Sequence, residues 1–212
     1  MARRLPAQFV RDTEEGYKLQ TAQEKNWQQE RGGFQPKPKD RREILRDLLD
    51  EIFSELSLKR YRYKDLKTFS VGVTVDGVRL GSDGQIPLSV RVAEDAEELA
   101  RKLSEATQES RHRENELFWV FALNPEIDKL VAGYYASGQM VSKYQQLQSQ
   151  NKISNEEATS LTQERNEQRR LRNSLVGKLS EAIAGGQGVF QGVTRDASDL
   201  GTRCVLRGLV TR

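Results

Sequence analysis

The chain of 212 residues holds one cysteine, one histidine, two methionines, two tryptophans and five prolines. A lone histidine, His112, excludes a multi-histidine metal site. Its neighbours Arg111 and Arg113 mark it as an exposed residue at a helix end. A lone cysteine, Cys204, excludes an internal disulfide, which fits a reducing cytoplasm, and no Cys or His lies near it to activate it. No apolar run approaches the roughly 18 residues that a membrane helix needs, so no membrane contact is expected. The basic start, Met1 to Pro6, lacks the apolar core of a secretory signal. Apolar residues are scarce at 36%, against 31% charged, which points to long solvated helices and a modest core packed against something else. The net charge is only +3 with both signs interspersed, so no global field demands a nucleic acid.

What is present divides into four parts. Residues 1–40 read as an N-terminal joining segment and linker. Within them, Tyr17 and Leu19 share one side of a short strand, and Thr21 with Glu24 forms a capping box that starts a helix carrying Trp27. Arg31 to Asp40 is a Gly/Pro linker, with the next helix starting at Asp40 and Glu43. Residues 41–123 read as an α+β core. Leu45, Leu48, Leu49, Ile52, Phe53 and Leu56 make one apolar helical stripe. Phe69, Val71, Val73 and Val75 then alternate as in a strand, and Asp76-Gly77 favours a type I′ turn into Val78–Leu80. After Gly81–Gly84, residues 86–92 form a third strand, so the three read as an antiparallel meander. A helix over roughly 93–111 follows, and Leu117–Leu123 is apolar throughout, as in a strand buried on both faces.

Residues 124–185 read as an antiparallel helical hairpin. Asn124-Pro125-Glu126 is a strong helix start. Asn151–Ile153 interrupts the helix, and Ser154 with Glu157 restarts it. The middle of this region, 145–170, is polar enough to be a solvated arm that projects from the globule. Gly185 to Gly188 ends the second helix as a C-cap. Residues 186–212 hold one further strand, Val189–Val193, and a tail that looks truncated. The fold class expected is therefore α+β: a small, mostly antiparallel sheet with packed helices and a long protruding helical hairpin. An incomplete domain leaves strand edges uncovered, so self-association is expected.

No catalytic constellation emerges. Gly177-Lys178 is followed by Leu179 where a P-loop needs Ser or Thr, and it lies inside a helix. Glu97-Glu98 and Glu156-Glu157 sit on charged helix faces, where nothing selects a pair for acid/base work. No cofactor or metal is expected. The one binding candidate is basic: Arg165, Arg169, Arg170, Arg172 and Lys178. Arg165, Arg169 and Arg172 share a helix face at i, i+4, i+7 and could follow a phosphate backbone or meet a partner protein. Glu164 and Glu167 stand among them and invite local ion pairs. Tyr134, Tyr135 and Tyr144 could stack on bases, although their helical spacing also suits packing.

Taken in order, several segments resemble the BREX and Pgl phage-defence ATPases, the BrxC/PglY family, nearer its PglY branch. They are Gly16-Tyr17-Lys18-Leu19-Gln20-Thr21 with Glu24 and Trp27, then Phe69-Ser70-Val71-Gly72-Val73 with Val75-Asp76-Gly77-Val78. Glu116-Leu117-Phe118-Trp119-Val120, the polar helical pair and Gly186-Gln187-Gly188-Val189-Phe190-Gln191-Gly192 complete the series, which spans about residues 10–200. Members are longer and carry an N-terminal P-loop ATPase. The resemblance therefore implies a non-ATPase internal or C-terminal segment, encoded separately or left by truncation, and no nucleotide-binding residue transfers. It also implies a bacterial cytoplasmic complex that blocks phage DNA, in which this segment would serve assembly or contact with the other subunits of that complex or with DNA. A stand-alone nucleic-acid-binding adaptor is the alternative.

Overall fold

The structure is a computed structural model and describes residues 10–13, 16–19, 21–55, 60–63 and 66–196. Expectations for Met1 to Pro6, Leu56, Cys204 and the C-terminal tail lie outside the described residues. In chain order the elements are β1 (Val10–Thr13), β2 (Gly16–Leu19), α1 (Ala22–Gly33), α2 (Pro38–Glu55), β3 (Arg60–Tyr63), β4 (Lys67–Val75), β5 (Val78–Leu80), β6 (Ile86–Ala93), α3 (Ala96–Ser110), β7 (Leu117–Ala122), α4 (Pro125–Ser149), α5 (Asn155–Ala184), β8 (Gln187–Phe190) and β9 (Val193–Asp196). They form two compact units, residues 1–41 with 130–173, and residues 42–129 with 174–212.

The second unit holds a mixed sheet in the order β3-β4-β6-β7-β8-β9, with β5 paired to β4. Its two central pairings, β4–β6 and β6–β7, are parallel, and the flanking ones are antiparallel. β7 is the expected buried strand: Phe118, Trp119, Val120 and Phe121 are all buried, as β6 and β8 flank it on both sides. α3 covers one face of the sheet, packing Leu99, Leu103 and Ala106 against Phe118, Val120 and Val189. On the other face, the Trp119 indole N–H donates to the Ile183 carbonyl near the end of α5 at 3.0 Å. Leu45, Leu48, Leu49, Ile52 and Phe53 of α2 are buried, as their spacing requires.

The antiparallel meander is corrected. Val73 and Val75 pair with Leu80 and Val78 of β5 in one direction and with Leu88 and Val90 of β6 in the other. β5 and β6 therefore lie on opposite edges of β4, and the connection between them must cross that strand. It crosses where Gly84 meets Gly72. A Cβ on Gly84 would stand 2.0 Å from the Gly72 amide nitrogen, and one on Gly72 would stand 2.6 Å from the Gly84 nitrogen. Only a glycine pair allows backbones this close. Ser70 and Gln85 pin the crossing, with the Gln85 N–H donating to Ser70 Oγ at 3.1 Å.

Other differences are local. Asp76 and Gly77 both have positive φ, as a type I′ turn needs. Gln191 and Gly192 do as well, so the single strand expected at 189–193 is instead the β8–β9 hairpin around that turn. Gly185 and Gly186 end α5 without positive φ. Gly186 is required because a Cβ there would come 2.6 Å from Trp119 Nε1. α2 starts at Pro38, with Asp40 reaching back to the Lys37 N–H at 2.9 Å. The segment before Gly16 contributes β1, which pairs antiparallel with β2.

In the first unit, α1 begins with the expected capping box: Glu24 N–H donates to Thr21 Oγ1 and Thr21 N–H to Glu24 Oε2. Ser154 with Glu157 caps α5 reciprocally, and in the second unit Asn124 caps the start of α4 through the Glu126 N–H. Asn151, at φ 55°, ends α4 in a Schellman arrangement, with the Lys152 N–H on the Leu147 carbonyl at 2.9 Å. Trp27, Met140, Val141, Tyr144 and Leu161 form the core of this unit, flanked by Phe34, Leu147 and Ile153. The polar stretch 145–170 is mostly exposed, but Leu161 and Glu164 are buried under α1, which corrects the freely solvated arm.

Candidate functional site

The basic residues singled out in the sequence all lie on α5, four in the first unit and Lys178 in the second. Arg165 is half-buried, Arg169 is exposed and Arg172 is half-buried. The helical spacing keeps these three on one face. Arg165 Nε is buried with no hydrogen-bond partner among the described residues. Arg169 makes a marginal 3.5 Å contact with Asn166 Oδ1.

Arg170 and Lys178 are engaged by carboxylates. Arg170 grips Glu167 through Nε and Nη2, both at 2.7 Å. This bidentate bond holds the Glu167 carboxyl below the usual carboxylate range and raises the guanidinium's own pKa. Lys178 meets Glu181 at 3.2 Å and Glu126 at 3.3 Å, and hydrogen bonds to both raise its pKa. A shallow hollow at the C-terminal end of β7, beside Asn124 and Pro125, is lined by the same Lys178 and Glu181. Its cation is thus balanced by two carboxylates, which leaves little attraction for an anion.

A second constellation escapes the sequence reading. Glu164 turns inward and is 5% exposed. Its Oε2 accepts from Trp27 Nε1 at 2.8 Å, while Oε1 accepts from Arg31 Nε at 2.9 Å and from Ser137 Oγ at 2.5 Å. Arg31 Nη2 also donates to Ser137 Oγ at 3.0 Å and to the Gly133 carbonyl at 3.2 Å. Around this group the Trp27 and Tyr144 rings lie 4.3 Å apart, and Glu30 accepts from Tyr144 Oη at 3.0 Å and pairs with Lys143. Tyr144 is thus a packing residue with its hydroxyl engaged. The signal for Glu164 was its place three residues after Leu161 and seven before Leu171, on the buried stripe. A carboxylate there requires a buried partner.

The expected exposure of His112 holds. Among the described residues, no group of His, Cys, Asp and Glu is arranged to hold a metal ion, and no helix is long and apolar enough to cross a membrane.

These features define a mixed α+β domain with two long helices, a polar basic face and a buried ion-pair network. Residues 38–203 match the family model described as the BREX ATP-binding protein BrxC fourth domain with six-stranded beta sheet. The match covers more than three quarters of the chain, and the chain belongs to this family. The six strands on the path β3 to β9 lie inside the matched range, whereas β1, β2 and α1 precede it. No curated protein and no solved structure matches.

Proposed function

We propose that the domain is a non-catalytic contact element of a BREX phage-defence assembly in the bacterial cytoplasm. In this reading α4 and α5 are an antiparallel helical hairpin, and the Arg165, Arg169 and Arg172 face of α5 meets another subunit of the complex. The observation that carries it is the guanidinium row at i, i+4, i+7 on α5, with Arg169 exposed and held, among the described residues, only by its 3.5 Å contact to Asn166. An exposed guanidinium gains a charge-assisted hydrogen bond once a partner supplies a carboxylate. Gly133 packing on Leu171, and Ser137 bonding to Glu164, supports the antiparallel course of the two helices. The chain itself hydrolyses no ATP in this reading. DNA is the second candidate partner, favoured by the same guanidinium spacing.

The variant Arg165→Gln/Arg169→Gln/Arg172→Gln tests the assignment. Its affinity for the cognate BREX subunits should fall by about tenfold or more, with an unchanged melting temperature. Subunit binding equal to that of the parent would sink the assignment. If DNA is the ligand, the loss appears instead as a weaker salt dependence of duplex binding, the slope falling by about one for each phosphate contact removed.

A further inference from the structure

We propose that the surface of α4 and α5 around Ser137, Tyr144 and Glu164 is a docking site for a helix bearing tryptophan and arginine four residues apart. Its occupant is α1, the helix that leads into the matched domain. α1 has its own start and stop signals: the capping box at Thr21, then Gly32-Gly33 and the Phe34–Lys37 segment before α2. It lies outside the matched residues, 38–203, although the residues of α4 and α5 that Trp27, Glu30 and Arg31 bond lie inside them.

The way α1 is held sets it apart from a core helix. A core helix buries an apolar stripe repeated along its length. α1 buries one residue, Trp27, and the rest of Ala22–Gly33 is half-buried or exposed. Trp27, Glu30 and Arg31 fall on one face at i, i+3, i+4, and each makes a polar bond to α4 or α5. Trp27 and Arg31 converge on the same buried carboxylate, Glu164. One aromatic anchor flanked by charge pairs is the pattern of a helix seated in a groove, where a few contacts carry the affinity. Such a helix opens without unfolding what it sits on. α1 therefore tethers whatever precedes it to α4 and α5 through one releasable contact.

Hydrogen exchange on the full chain tests this. In the parent protein, α1 amides should exchange at least tenfold faster than the amides of residues 135–149 and 158–171. Glu164→Gln keeps an acceptor but removes the charge. It should speed α1 exchange by about tenfold or more, with β6 and β7 unchanged. Exchange of α1 in step with α4 and α5 in the parent would overturn the proposal, as would equal acceleration of all three helices in the variant. Should Glu164→Gln fail to fold, the comparison within the parent decides alone.

Discussion

Glu164 and Arg165 are neighbours on α5 with opposite fates. The carboxylate is buried and holds three donors, while the guanidinium keeps a buried nitrogen without an acceptor among the described residues. Sequence alone read both as parts of one charged face, because adjacent charges on a polar helix suggest mutual pairing. What decides between them is α1, whose Trp27 and Arg31 supply donors from more than a hundred residues away. Tyr144 shows a related effect. Burial first, and then its bond to Glu30, push the phenol up from 10.0 to about 12. The folded state thus keeps the Tyr144 proton where the unfolded chain has lost it. This contribution to stability is complete below pH 10 and disappears as the pH rises toward 12. In urea titrations, Tyr144→Phe should flatten the loss of stability over that alkaline window. An unchanged alkaline slope would show that Tyr144 does not set it.

At the scale of elements, the crossing of β4 makes a sharp prediction. Gly84→Ala places a methyl against backbone atoms that cannot rotate away, so it should cost about 3 kcal/mol or more by urea unfolding. Gly177→Ala lies in α5 with no atom within 4 Å, and should instead stabilise by roughly 0.5–1 kcal/mol. Similar values for the two would contradict the crossing. Elements defined by local chemistry were legible in sequence: the boxes at Thr21 and Ser154, the Asn124 cap, the Asp76-Gly77 turn and the buried β7. Strand partnership was not. A hairpin signal at Asp76-Gly77 invites the next strand to continue the meander, and alternation in β6 is the same whichever edge it joins. The clue was Gly72 inside a valine-rich strand, which marks a close backbone approach. The basic face was legible as spacing, but not the prior engagement of Arg170 and Lys178 by carboxylates.

For the whole molecule, the two tryptophans are natural reporters, since Trp27 lies in one compact unit and Trp119 in the other. Trp119→Phe leaves Trp27 to follow α1 on its seat in the first unit, and Trp27→Phe leaves Trp119 to follow the second unit. The first unit has a small apolar core of Trp27, Met140, Val141, Tyr144 and Leu161, whereas the second has a layered sheet. Trp27 emission should therefore change at a lower denaturant midpoint than Trp119 emission. Coincident midpoints would mean that the chain unfolds as one cooperative body.

The glycine crossing also bears on where this chain can be altered by hand. The connection from β5 to β6 has only residues 81–85 in which to pass from one edge of β4 to the other. That span is two strand spacings, about 10 Å, and five residues reach at most about 18 Å when fully stretched. Little slack remains once the path bends over the strand. The turn at Asn151, by contrast, is exposed and joins two independently capped helices. A fluorescent tag, protease site or split point for fragment complementation belongs between Asn151 and Lys152. The same insertion between Asp83 and Gly84 would lift β6 from its neighbour and take the centre of the sheet with it.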